Sequence, residues 1–147
     1  MKFTTAFAVL STAALSTATS VRYDAGYDDA SRSMTAVACS DGANGLITRY
    51  GWQTQGQIPR FPYIGSSDSI AGYNSGNCGQ CLSVSYGGKT IYVVAIDHAD
   101  NGLVLSTAAL NDLTNGNAVN FGVVDASVQP VDVSNCGLTP AKRFFRA

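Results

Sequence analysis

Asn77-Cys78-Gly79-Gln80-Cys81-Leu82-Ser83-Val84-Ser85-Tyr86-Gly87-Gly88-Lys89-Thr90-Ile91-Tyr92-Val93-Val94-Ala95-Ile96-Asp97-His98-Ala99-Asp100-Asn101-Gly102 is the stretch whose reading decides the fold. From Leu82 to Tyr86 apolar and small polar residues alternate, the period of a half-buried strand. Two glycines follow, free to take the positive φ that a tight hairpin turn demands. The run from Ile91 to Ile96 is almost unbroken apolar sequence and predicts a buried second strand. It stops at a polar cluster that begins with Asp97. The hairpin therefore has two cysteines at its start and a carboxylate at its end.

Composition points the same way. All ten acidic residues are Asp, with no Glu, and Gly, Ser and Asn are abundant. Glu favours helix interiors and Asp favours turns and caps, so a mainly β protein is expected. The N-terminus reads as a signal peptide: Lys2 is its positive region, Phe7 to Leu15 its apolar core, and Ser16-Thr17-Ala18 its small-residue cleavage site. The apolar run is too short and too rich in Ser and Thr to span a membrane, which takes about 20 apolar residues. Cleavage near Ala18 leaves about 129 residues, enough for one domain. Without Lys2, eight basic side chains face ten acidic ones. That balance gives neither nucleic acid nor an anionic membrane a basic surface to meet.

Four cysteines in a secreted chain of this size predict two disulfides. Cys78 and Cys81 are too close to be the obvious pair, so Cys39 and Cys136 are expected to bond to them. Two connectivities remain, and Cys39–Cys78 with Cys81–Cys136 is preferred. Each bridge closes a long loop and contributes about 3–4 kcal/mol on the loop-entropy model. The alternative, a thioredoxin-like redox pair at Cys78-Gly79-Gln80-Cys81, belongs at the start of a helix. Here a strand pattern follows.

Along the rest of the chain, Val21 to Asp24 predicts a first strand and Met34 to Cys39 a second extended run. Leu46 to Tyr50 predicts one or two helical turns before Gly51. Gln53 to Asn77 is rich in Gly, Pro, Ser and Asn, and Pro59 and Pro62 forbid a long regular element there. Gly102 to Leu105 predicts a short strand. Ser106 then caps a helix carrying Leu110 and Leu113 on one face and stopping at Asn115-Gly116. A last strand pair is expected around Val128 to Val133. Residues 138–147 form a basic-aromatic tail that includes Lys142-Arg143-Phe144-Phe145-Arg146, read as a frayed terminus in preference to a membrane or partner contact.

Several strings carry a resemblance. Cys39-Ser40-Asp41-Gly42-Ala43-Asn44-Gly45-Leu46, Ile58-Pro59-Arg60-Phe61-Pro62-Tyr63-Ile64-Gly65 and Ile70-Ala71-Gly72-Tyr73-Asn74-Ser75 look like signatures of the fungal cerato-platanin family. Asn77-Cys78-Gly79-Gln80-Cys81, Ile96-Asp97 and Ser134-Asn135-Cys136 follow in family order. The resemblance implies a six-stranded double-ψ β-barrel over residues 19–137, with one or two short helices. It also implies disulfides pairing first cysteine with second and third with fourth. By the same resemblance the protein is secreted or wall-bound and expansin-like. It would bind chitin or N-acetylglucosamine oligomers without hydrolysing them, assemble at interfaces, elicit plant defence through a host receptor, and act as an allergen. No cofactor is implied.

The candidate saccharide site comprises Asp97, with Asp100 and Asn101 behind it, and Tyr23, Asp24 and Tyr27 from the first strand. The resemblance places the carboxylate at Asp97 in the groove. Capping of its own turn is the plainer role for Asp97, and turn formation the plainer role for Asp100 and Asn101. Tyr23 and Tyr27 read equally well as core rings, and Trp52 as a loop anchor before a sugar platform. His98 is the sole histidine, too few nitrogen ligands for zinc, and the Asp97–Gly102 spacing makes a poor calcium loop. An inverting glycosidase needs two carboxylates across the sugar. Asp24 is the one partner the barrel brings near Asp97, so the alternative function is weak hydrolysis by that pair. A second alternative is an interface-assembling surface protein or allergen with incidental sugar binding.

Overall fold

The computed structural model describes residues 18–140. Six strands close into a barrel: β1 (Thr19–Tyr23), β2 (Ile64–Ser67), β3 (Cys81–Tyr86), β4 (Lys89–His98), β5 (Leu103–Leu105) and β6 (Val123–Val131). Their order around it is β1-β5-β2-β4-β3-β6. β1 with β5 and β2 with β4 are parallel, and the other pairs are antiparallel. Three short helices accompany them, α1 (Leu46–Tyr50), α2 (Thr107–Thr114) and α3 (Ala118–Phe121), one more than the sequence led us to expect.

The hairpin of β3 and β4 turns on Gly87 and Gly88, at φ 58° and 85°. Its register runs unbroken from Cys81 opposite Val94 to Tyr86 opposite Lys89. Val93, Val94, Ala95 and Ile96 are all buried, which explains their unbroken apolar run. One side of β4 faces the barrel interior, and α2 packs against the strand. Leu110 and Leu113 supply the buried face of α2. The Ser106 hydroxyl accepts from the Ala109 amide, and Asn115 ends the helix in the left-handed conformation, as the capping residues predict.

Three expectations need correction. Met34 to Cys39 is not a strand: Met34–Ala36 is a 3-10 turn in which the Thr35 amide donates to the Ser33 hydroxyl. Such local bonding competes with a sheet ladder, and the closed barrel offers this segment no free edge. Conversely, Ile64–Ser67, inside the Gly- and Pro-rich segment, is the fully buried strand β2. Glycine and serine are weak strand formers, but here close approach decides. A Cβ on Gly65 would sit 2.3 Å from the Val104 carbonyl oxygen, so β2 and β5 can pair only with glycine there. Finally, the expected last strand pair is one continuous strand, β6, which bridges β1 and β3.

The disulfides join Cys39 to Cys78 and Cys81 to Cys136. Trp52 is buried and stacks on Tyr50 with ring centroids 4.3 Å apart, an anchor for its loop. Leu138 is buried and Thr139 accepts a hydrogen bond from the Tyr50 hydroxyl, so the first residues after Gly137 pack on the domain. Residues 1–17, all but the last of the expected signal peptide, and the basic-aromatic residues 142–146 lie outside the described residues.

Candidate functional site

Asp97 sits at the end of β4, half-buried, and its carboxylate turns back towards the loops that cover the barrel. A register shift between Gly65 and Ser66 on the parallel neighbour β2 brings Ser66 opposite Asp97. One carboxylate oxygen, Oδ1, accepts from the Ala38 amide at 2.8 Å and the His98 amide at 2.9 Å. The other, Oδ2, accepts from the Tyr27 hydroxyl at 2.7 Å. An ionised carboxylate offers about four acceptor positions. Three are filled from within the protein.

Tyr27 comes from the single 3-10 turn Ala25–Asp28 that follows β1, and its ring is buried. Burial pushes its phenol well above the usual tyrosine range. The Ser66 hydroxyl opposes that shift, and the Asp97 carboxylate adds to it. The phenol is therefore a hydrogen-bond donor and no source of protons near neutrality. The Arg32 guanidinium lies 5.3 Å from the ring centroid.

What holds this turn in place is Gln55, with no exposed surface at all. Its side-chain amide donates to the Gly26 and Asp29 carbonyls at 3.0 and 2.9 Å. Asp28 ties the same turn to α2, with its carboxylate accepting from the Thr107 and Ala108 amides. Neither residue stands out in the sequence as part of a site. A glutamine in a polar loop carries no periodic signal, and only its burial reveals it.

The remaining candidates are placed differently. Asp24 is exposed, and its carboxylate folds back to accept from the Gly26 amide at 2.7 Å, capping its own turn. Tyr23 is half-buried opposite Leu105 in the β1–β5 ladder. Asp100 and Asn101 are exposed in the turn after β4. Asp100 meets His98 Nε2 at 3.0 Å, and the Asn101 carbonyl accepts from Arg22. His98 Nδ1 donates to the Ile70 carbonyl at 2.7 Å, which assigns the proton to that nitrogen. That bond and Asp100 hold the imidazole above its ordinary pKa. Of the six candidates, then, the structure joins Tyr27 to Asp97 directly.

A family model described as Cerato-platanin matches residues 19–138, the whole barrel with both disulfides. The chain belongs to the cerato-platanin family. Relatives include the allergen Asp f 15 of Aspergillus fumigatus, 48% identical over 117 residues, covering 80% of this chain and 76% of the relative. Cerato-platanin of Ceratocystis fimbriata f. sp. platani is 35% identical over 131 residues, covering 88% and 95%. Among solved structures, cerato-platanin 2 from M. perniciosa superposes with a TM-score of 0.77 at 50% identity, covering 82% of this chain and 99% of that one. The solution structure of the fungal elicitor cerato-platanin superposes with a TM-score of 0.71 at 36% identity, covering 80% and 95%. This cerato-platanin therefore has relatives named as allergens and one named as an elicitor.

Proposed function

We propose that this cerato-platanin is a secreted, non-catalytic carbohydrate-binding protein. On this reading it takes N-acetylglucosamine oligomers or related wall polysaccharides at Asp97 and acts on polysaccharide by expansin-like loosening. The observation that carries the reading is the half-exposed Asp97 carboxylate, with one acceptor position left after three internal hydrogen bonds. One free position suits a sugar hydroxyl. Asp24, the partner that hydrolysis would need, spends its carboxylate on the Gly26 amide.

Elicitation of plant defence is the second reading, favoured by the relative named as a fungal elicitor. It requires exposed loops and no turnover, so both readings are compatible with one molecule.

Titration of ¹⁵N-labelled protein with N-acetylglucosamine oligomers tests the first reading. Amides around Asp97, Ala38 and His98 should shift at millimolar ligand, and Asp97→Asn should weaken binding by about tenfold, the worth of a charge-assisted hydrogen bond. Asn at this position keeps an acceptor for the backbone amides, so the fold should survive. Absence of shifts in the wild type sinks the binding claim. Sustained release of reducing ends, abolished by Asp97→Asn, would replace it with hydrolysis.

A further inference from the structure

A cleft elsewhere on the surface has none of the residues that bond Asp97 in its lining. It has a volume of about 230 Å³ and is lined by Arg49, the segment from Gly76 to Gln80, and Val133. Both disulfides frame it. Cys78 on one wall is bonded to Cys39, while Val133 on the other opens the 3-10 turn that ends at Cys136, bonded to Cys81. Walls stapled in this way lose little entropy when a ligand binds.

The cleft has one cation and no anion to answer it. Arg49 Nη1 donates to the Cys78 carbonyl at 2.9 Å and reaches the Asn44 carbonyl at 3.5 Å. Its Nε and Nη2 make no hydrogen bond with the described residues. Ion pairs among the described residues are confined to Lys89–Asp112 and His98–Asp100, so Arg49 has no carboxylate partner among them; its guanidinium lies 5.5 Å from the Tyr50 ring centroid. Gly79 lets this wall pass close to α1, since a Cβ there would come within 2.9 Å of Leu46 Cδ2.

The other lining groups narrow the ligand. Gln80 Oε1 is occupied by the Ser69 hydroxyl at 2.8 Å, leaving its amide nitrogen free as a donor. Asn77 Nδ2 is occupied by the Ser69 carbonyl at 2.9 Å, leaving its oxygen free as an acceptor. Val133, half-buried, adds an apolar surface. A planar cation, one neutral donor, one acceptor and an apolar wall match a ring that carries a carboxylate, hydroxyls and a C–H face. The guanidinium fork suits a carboxylate in two-point contact.

We infer that the Arg49 cleft is a subsite for an acidic sugar, a uronate residue of a polysaccharide, with the carboxylate on Arg49. The saccharide nature of the ligand rests on the proposed wall-carbohydrate reading. The demand for a carboxylate rests on Arg49 alone.

The test uses ¹⁵N-labelled protein and three probes: a short oligogalacturonate, an N-acetylglucosamine oligomer of the same length, and sodium sulfate. Oligogalacturonate should shift the amides of Gly76 to Gln80 and the Arg49 Nε–H signal. Added salt should weaken that binding. Arg49→Gln should weaken it by at least about tenfold. Because that change also unhooks the Cys78 carbonyl, Arg49→Lys, which keeps a charge and a donor, should restore part of it. Asp97→Asn should leave it intact.

Equal shifts with the neutral oligomer, or none with oligogalacturonate, overturn the inference. Equal shifts with sulfate reduce the cleft to a general anion contact and overturn the sugar assignment. Failure of the neutral oligomer at Asp97, with oligogalacturonate shifts at Arg49 intact, overturns the groove reading and leaves this one standing.

Discussion

The wall built from β3, β4 and β6 and the layer of loops between β1 and β2 are held together by different means. In the wall, backbone ladders run in register over the length of β3 on both sides. Of its outward residues, Ser85 and Thr90 bond to each other across the hairpin. The layer, by contrast, contains no barrel strand, and beyond a short backbone bridge between residues 30–34 and 53–56 its segments are joined largely by side chains. Gln55 holds the turn after β1, Tyr27 and Ala38 meet at Asp97, Asp28 clamps α2, and Cys39 is bonded to Cys78. A ladder spreads stability over many bonds, so, the Cys81–Cys136 bridge aside, no single outward side chain of the wall matters much. In the layer each of these side chains holds two or more segments, and the candidate site lies where several of them converge.

The sharpest way to break this contrast is to remove the layer's covalent tie. Replacing Cys39 and Cys78 together by Ser opens a bridge with a sequence separation of 39 residues and should cost about 4 kcal/mol. Denaturant midpoints measure the loss. Amide exchange should show it concentrated in residues 24–63, with β3 and β4 keeping most of their protection. Uniform loss across both regions would erase the distinction.

A smaller effect is expected at Gln55. Gln55→Ala leaves the Gly26 and Asp29 carbonyls without their donor and opens a cavity where Gln55 was buried, at a cost of about 3 kcal/mol. Ser85→Ala in the wall should stay within about 0.5 kcal/mol. Equal costs for the two changes, measured by chemical denaturation, would contradict the comparison.

The smallest effect is the pH response of the turn after β4. The folded pKa of His98 is raised by the Ile70 carbonyl and Asp100, with smaller help from Asp97. Its stabilisation is therefore complete below the unfolded value of 6.5 and is lost as pH rises through the raised folded value. Exchange of the amides near His98 and Ile70 should quicken across that window, and His98→Gln should abolish the dependence. Asp112, lowered by Lys89 and Tyr63, has the opposite sign. Its contribution is present above 3.8 and fades as pH falls through the depressed folded value. Asp112→Asn should flatten the acid limb of a thermal-stability profile.

The wall was the more legible region because its patterns are local. Alternation in Leu82 to Tyr86, the Gly87-Gly88 turn and the Ser106 cap each declare themselves within a few residues. The layer hid its logic for the opposite reason. Met34 to Cys39 looks extended, but the barrel had no edge left for it and the Ser33 hydroxyl captured the Thr35 amide. Ile64-Gly65-Ser66-Ser67 looks like loop and is a buried strand, because Gly65 lets two backbones meet. At the candidate site Asp97 was legible as a carboxylate ending a buried strand. Its donors, and Gln55 behind them, were not, since each comes from a segment far away in sequence.

The sequence by itself determined the mainly β character, the central hairpin, the capped helix and, through its signature strings, the family. These rest on periodicity, turn chemistry and composition, which act over a few residues or over the chain as a whole. Only the tertiary structure decided which side chains face each other. Barrel closure set Ser66 opposite Asp97, brought Tyr27 and Ala38 to its two oxygens, and turned Asp24 to its own backbone. It also left Arg49 in a cleft without a counter-charge. Such meetings depend on contacts across tens of residues, where local preference has no influence and the geometry of the closed barrel has it all.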